Sequence, residues 1–159
     1  MADSNADGRT KVYSVPSIAN IAAPTVAELN AGVALDGLMT PDGLVGFEPD
    51  TGDVDNSKLN STFSTVSAGR VSFSGTLIRL IKQVGTDSVY NTLVYGFATN
   101  IVVRRDVTAG TAWATSDKVE VYPVQCGEVR NLAPEANSVH KYEVMAKITV
   151  QPNLRATVA

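Results

Sequence analysis

The sequence predicts a mainly β domain, two packed antiparallel sheets forming a sandwich or half-open barrel, with one or two short helices. Three observations carry this. Near the C-terminus Tyr142, Val144, Ala146, Ile148 and Val150 alternate with Glu143, Met145, Lys147, Thr149 and Gln151. That is the period of two of a strand with one apolar and one wettable face. The run Ile101-Val102-Val103 fits a strand buried on both faces. Turn-forming residues, among them Pro41-Asp42-Gly43, Gly85-Thr86-Asp87 and Pro152, divide the chain into short segments.

In chain order, residues 1–11 are small and polar and read as a flexible arm, followed by one domain over 12–159. Val12 to Val15 reads as an edge strand ended by Pro16. Thr25 is placed to cap a short helix, with Glu28 three residues on as its reciprocal partner, and Gly32 as the stop. Val33 to Thr40 and Gly43 to Glu48 read as short strands separated by the Pro41-Asp42-Gly43 turn. Residues 50–69, rich in Ser, Thr, Asn and Asp, have little periodicity and read as a long loop, a length usually tied to function. Alternation of Val71, Phe73, Gly75 and Leu77 with Ser72, Ser74 and Thr76 predicts a strand over Arg70 to Lys82. Asp87 is placed to cap a second helix closed by Gly96, and Phe97 to Val107 reads as the doubly buried strand. Within Val119 to Arg130 the apolar parity changes around Pro123, which predicts a bulge or bend there. The strand Val139 to Gln151 follows, ended by Pro152.

At 159 residues the chain can bury a sizeable core, roughly 70% of its unfolded surface at this size. With 44% hydrophobic and 18% charged residues, it is neither a disordered nor a heavily charged chain, and partners are expected to cover much of its surface. The net charge of −3 is unevenly spread: Glu28, Asp36, Asp42, Glu48, Asp50, Asp53 and Asp55 stand between Val12 and Ser57 with no Lys or Arg, and eleven Lys and Arg against seven Asp and Glu follow from Lys58 on. This is either a solvated acidic edge or one half of a charge-complementary contact between copies. Neither half has the dense basic patch of a phosphate binder. Cys126 stands alone, which excludes an internal disulfide and reads as an inert buried thiol. No run of eighteen apolar residues occurs, and Met1 to Thr10 has no apolar signal core. A soluble protein made in a cytoplasm, without membrane insertion, is expected.

Chemistry is sparse. The nucleophile-elbow, zincin, Walker and dinucleotide motifs are absent. His140 is the only histidine and reads as an exposed structural residue, although a small hydrolase using it stays open. Asp50-Thr51-Gly52-Asp53-Val54-Asp55-Asn56 resembles a calcium loop, but Ser61 stands where the bidentate Glu belongs. No metal, cofactor or catalytic residue is assigned. Arg104 and Arg105 beside Asp106 read as surface ion pairs, and Trp113 is the main candidate for the exposed aromatic platform of a binding module.

Taken in order, the polar arm, the capped helices, the long Ser/Thr/Asp segment and the closing strands Lys118-Val-Glu-Val-Tyr-Pro-Val-Gln-Cys-Gly127 and Tyr142-Glu-Val-Met-Ala-Lys-Ile-Thr-Val150 resemble the major tail protein of long-tailed, non-contractile bacteriophages. The resemblance runs from about Val12 to the C-terminus. It implies a virion subunit assembled in the host cytoplasm into stacked hexameric rings, with sheets joined into a barrel around a channel. DNA passes through without specific binding, and tape-measure, tail-tip and tail-terminator proteins are partners. It further implies that the segment 50–69 reaches the next ring, with Asp50, Asp53, Asp55, Lys58 and Arg70 as contact candidates. If the wettable parities line the channel, the candidates are Ser72, Ser74, Thr76, Glu120, Glu143, Lys147 and Thr149. A tube protein of a secretion or contractile injection machine shares these expectations, and a β-sandwich binding or capsid decoration module is a further alternative.

Overall fold

A computed structural model describes residues 2–159; Met1, first residue of the expected arm, lies outside them. Among the described residues the chain is mainly β, with two antiparallel sheets, two short helices and no closed barrel. The strands are β1 Lys11–Val15, β2 Val33–Ala34, β3 Met39–Val45, β4 Asp50–Asp55, β5 Val66–Ser72, β6 Leu77–Ile81, β7 Ala98–Arg104, β8 Lys118–Asn131, β9 Lys141–Ile148 and β10 Asn153–Thr157. The helices are α1 Val26–Asn30 and α2 Ser88–Thr92. Eight strands form one sheet in the order β2-β1-β7-β8-β9-β6-β3, with β10 also paired to β8, while β4 and β5 pair only with each other.

Both predicted N-caps form. Thr25 accepts from the Glu28 N–H, and the Glu28 carboxylate accepts from the Thr25 N–H, completing a capping box. Asp87 accepts from the Tyr90 N–H. The helix α2 closes at Leu93 rather than Gly96, whose N–H donates to the Cys126 carbonyl.

The large sheet is covered differently on its two faces. One face carries Val12, Ile101, Val103, Tyr122, Val124, Tyr142, Val144, Ile78 and Leu80 under α2, Leu35 and Phe47. The opposite face is covered only over β1, β7 and β8, where Val15, Val102, Val119 and Val121 pack against Leu29, Trp113, Ala156 and Val158. The central strand β7 serves both cores, as its apolar run predicts: Ile101 and Val103 point one way, Val102 the other.

The parity change in β8 has the same origin. Val119 and Val121 belong to the second core and Tyr122, Val124 and Cys126 to the first. The bulge expected at Pro123 is not there, since Pro123 pairs in register with Asn100; the register shift lies between Cys126 and Val129. Likewise Pro41-Asp42-Gly43 does not separate two strands but forms an irregularity inside β3, between Met39 and Leu44. The predicted strand Arg70 to Lys82 is two strands, β5 and β6, broken at Phe73 to Thr76, where Gly75 has φ +65°.

Two predictions about surface residues are corrected by packing. Arg104 is fully buried and not a surface residue: its guanidinium donates to the carbonyls of Thr108, Thr111 and Ala112 and pairs with Asp117 at 2.7 Å. Trp113 is buried at 5% exposure, edge-on to Tyr13 at 5.2 Å and with the Lys11 ammonium 4.9 Å from its ring centre. It cannot serve as an exposed platform.

Candidate functional site

Register fixes which side chains share the uncovered part of the sheet. Leu77 pairs with Met145, Arg79 with Glu143 and Ile81 with Lys141 between β6 and β9, and Gln125 with Lys147 and Arg130 with Glu143 between β8 and β9. Side chains alternate along each strand, so these pairs lie on one face, away from the core under α2. Asp42 joins them from β3. Together Asp42, Arg79, Glu143 and Arg130 form a chain of charges across four strands, with N–O distances of 2.6, 2.8 and 3.7 Å. A row of half-buried Leu77 and Met145 runs beside it.

The ribbon β4-β5 is a second distinct surface. The segment expected as a loop is a paired hairpin, in register at Asp50 with Ser72 and at Asp55 with Val66. Its side chains are exposed, including Val54, Val66 and Val71, and the tip exposes Leu59 and Phe63. A lone two-stranded ribbon is marginal in water. The sequence hid it because a strand wet on both faces has no apolar period, and its charged and polar residues resemble a loop.

Between the ribbon root and the chain after β9 lies a concavity of about 970 Å³, lined by Arg70, Val71, Phe73, Lys147, Ile148 and Arg155 among others. Gly46 shapes its approach: φ is +76°, and a Cβ there would stand 2.6 Å from the Gly75 carbonyl oxygen. The residue that follows β3 must therefore be glycine for the chain to pass this close to the break between β5 and β6.

The candidate channel residues do not share one surface. Glu143 and Lys147 lie on the uncovered face. Glu143 is nevertheless only 5% exposed, since Arg79 and Arg130 cover its carboxylate. Glu120 lies on the opposite face, where it accepts from the Tyr122 hydroxyl at 2.8 Å and pairs with Arg105 at 3.0 Å. Thr76 is buried, its hydroxyl donating to the Ala146 carbonyl. Ser72 and Ser74 are exposed at the ribbon root, and Thr149 is exposed just past β9, its N–H donating to the Pro123 carbonyl. Asp50, Asp53, Asp55, Lys58 and Arg70 are all exposed on the ribbon and its tip. Sequence reading missed Arg79, Asp42 and Arg130 as members of the charge chain; the alternation of Arg79 between Ile78 and Leu80 was the available signal.

Burial raises the Cys126 thiol to about 11, so it is not a thiolate near neutrality. His140 is exposed, and its carbonyl accepts from the Lys82 N–H. Among the described residues no three His, Cys, Asp or Glu side chains gather as metal ligands, and no helix is long and apolar enough to cross a membrane.

A family model described as phage tail tube protein matches residues 1–159. No curated protein matches. Among solved structures, a chain of the anti-feeding prophage baseplate, determined by cryo-EM with six-fold symmetrisation, is similar at a TM-score of 0.64. The identity is 8%, and 96% of each chain is covered. At that identity the likeness concerns the fold alone.

Proposed function

From the premise that the chain belongs to the phage tail tube protein family, which its match over residues 1–159 establishes, we propose that it is a structural subunit of a non-contractile phage tail. Its copies close sideways into hexameric rings and stack into the tube through which the genome leaves the virion. One observation carries the reading: among the described residues the large sheet has three strands paired on one side only, β2 and β3 at the ends of its path and β10 beside β8, and one face is left uncovered beside β3. An open edge is a template for another chain, and joining β2 to β3 between neighbouring copies around a ring removes both of those edges. The uncovered face then turns toward the channel. There Asp42 and Glu143 engage Arg79 and Arg130, so those arginines are held from the phosphates of passing DNA.

The ribbon β4-β5 reaches the neighbouring ring, burying Val54, Leu59, Phe63 and Val66, which the single chain leaves in water. Such a contact joins different surfaces of identical subunits and grows a filament. Tape-measure, tail-tip and tail-terminator proteins are the expected partners in the channel and at the ends, with assembly in the host cytoplasm. The six-fold symmetrised prophage baseplate, whose chain shares this fold, is consistent with six copies per ring. It also favours a second reading, a tube subunit of a related injection machine.

Negative-stain electron microscopy of the concentrated purified protein tests the proposal. Annuli or hollow fibres are expected; a compact monomer at every concentration and in every buffer overturns it.

A further inference from the structure

We infer that the strap of residues 105–117, between β7 and β8, is a clasp with Trp113 as its latch, which holds both ends of the chain so that loosening one end loosens the other.

The strap reaches both ends through its backbone. On one side the Ala109 N–H donates to the Gly8 carbonyl at 2.9 Å, and the Arg9 guanidinium donates to the Asp106 carbonyl at 3.4 Å. On the other side the Ser116 N–H donates to the Val158 carbonyl at 2.8 Å, and the Val158 N–H to the Asp117 carbonyl at 2.9 Å. Within the strap only Trp113 is buried. It shares an apolar cluster with Ala156 and Val158 of the tail, while the Lys11 ammonium and the Arg104 guanidinium stand 4.9 and 5.0 Å from its ring centre. The same two cations donate to the Thr111 carbonyl, and Arg104 also bonds Thr108, Ala112 and Asp117. One lock therefore serves both attachments, with Lys11 at the root of the arm and the tail packed beside the indole.

The closed clasp concentrates strain. Asp106 and Ser116, near its two ends, have φ +69° and +75°, left-handed backbone that glycine alone adopts without cost. Among the described residues the only other non-glycine there is Asn137. At the centre, Arg104 Nε and Trp113 Nε1 are buried donors with no hydrogen-bond partner among the described residues, and both would find one in water. Relief at both hinges and at the latch lowers the cost of opening the strap below that of opening the sheet. The tail keeps its bonds to Ala22 and Pro24, so an open strap loosens it without detaching it. By linkage, drawing the arm away eases release of the tail by the same factor as the reverse.

Hydrogen exchange of single amides in the full-length chain tests the coupling, at a concentration where copies stay apart. The readout is on separate subunits and does not depend on tubes forming. Ala109, Ser116 and Val158 report the two attachments, and Ala146, whose N–H donates to the Thr76 carbonyl, is the reference for the sheet. G8V/R9A breaks only the arm attachment: both residues are exposed, and Gly8 has φ +69° with open space around it, so valine strains the backbone without striking a neighbour. This variant is expected to speed exchange at Ser116 and Val158 by on the order of ten-fold relative to Ala146. In the other direction Val158→Ala is expected to speed exchange at Ala109. Trp113→Leu, which keeps an apolar side chain and loses both cation contacts, is expected to speed all three. Any of these variants that moves amides at one end alone, or at neither, after division by the change at Ala146, overturns the inference.

Discussion

Arg79 and Glu143 face each other across β6 and β9, with Nη2 and Nε of the arginine 2.8 and 3.0 Å from the same carboxylate oxygen, Oε1. The Glu143 side chain is 6% exposed and that of Arg79 24%. Its bond to Glu143, with Asp42 on the other side, raises the Arg79 pKa. A nearly buried ion pair adds little over an apolar pair, but losing one partner strands the other. Glu143→Ala is therefore expected to destabilise the subunit by about 2–4 kcal/mol in urea unfolding, with Asp42 keeping the loss toward the lower end. Replacing both residues, Arg79→Met with Glu143→Leu, is expected to recover most of it.

Tyr142 contains an unused polar group. Its ring meets Tyr90 edge-on at 5.0 Å, and its hydroxyl is buried with no hydrogen-bond partner among the described residues. Burial first, then the nearby Asp87 and Tyr90, raises its pKa. Removing a polar group that has no partner removes only its desolvation cost. Tyr142→Phe is expected to melt at the same temperature or higher; a loss of more than about 1 kcal/mol would show the hydroxyl bonded in solution.

Local patterns in the sequence transmitted well, because local physics sets them. The capping box at Thr25 and Glu28, the alternation of β9 and the two-sided burial of Ile101 to Val103 needed no knowledge of distant residues. Long-range registration was not legible. Thr76 has the spacing of the wettable Ser72 and Ser74, yet the backbone turns at Gly75 and delivers its hydroxyl to Ala146, 70 positions away. Glu120 and Glu143 look equivalent as polar members of alternating strands, but pairing puts Glu120 opposite Val103 and Glu143 opposite Arg79, on different faces. Arg104 reads as a surface charge because the four groups that accept from it come from the loop beyond β7. The short strand β10, after Pro152, has too few residues to set a period.

Acid stability follows from two caps. Burial works against the Asp87 carboxylate, but the N–H groups of Gln83 and Tyr90 outweigh it and its pKa falls; Glu28 is lowered by the N–H groups of Thr25 and Ala19. With the folded pKa below the unfolded one, each contribution is complete above the ordinary carboxylate pKa of about 4 and is lost as pH falls through the folded value. Melting temperature is expected to be unaffected by these groups from about pH 7 to 5 and to fall below about pH 4. Asp87→Ala is expected to cost about 1 kcal/mol near neutrality and to make the acid decline shallower. An unchanged acid slope in that variant would remove Asp87 as a contributor.

The direction of the uncovered face can be read with cysteines. Gln125 and Lys141 lie on it by register, whereas Asn91 is exposed on α2, over the opposite face. Cys126 stays silent, because burial places its thiol near 11 and the thiolate is the reacting form. Gln125→Cys, Lys141→Cys and Asn91→Cys are expected to react alike in free subunits with a thiol reagent carried on a polymer wider than the channel. In assembled tubes the first two should be protected and Asn91→Cys should not, since the sheet has two faces and only one can turn inward. The reverse pattern would turn the charge chain of Asp42, Arg79, Glu143 and Arg130 outward and put α2 against the passing DNA.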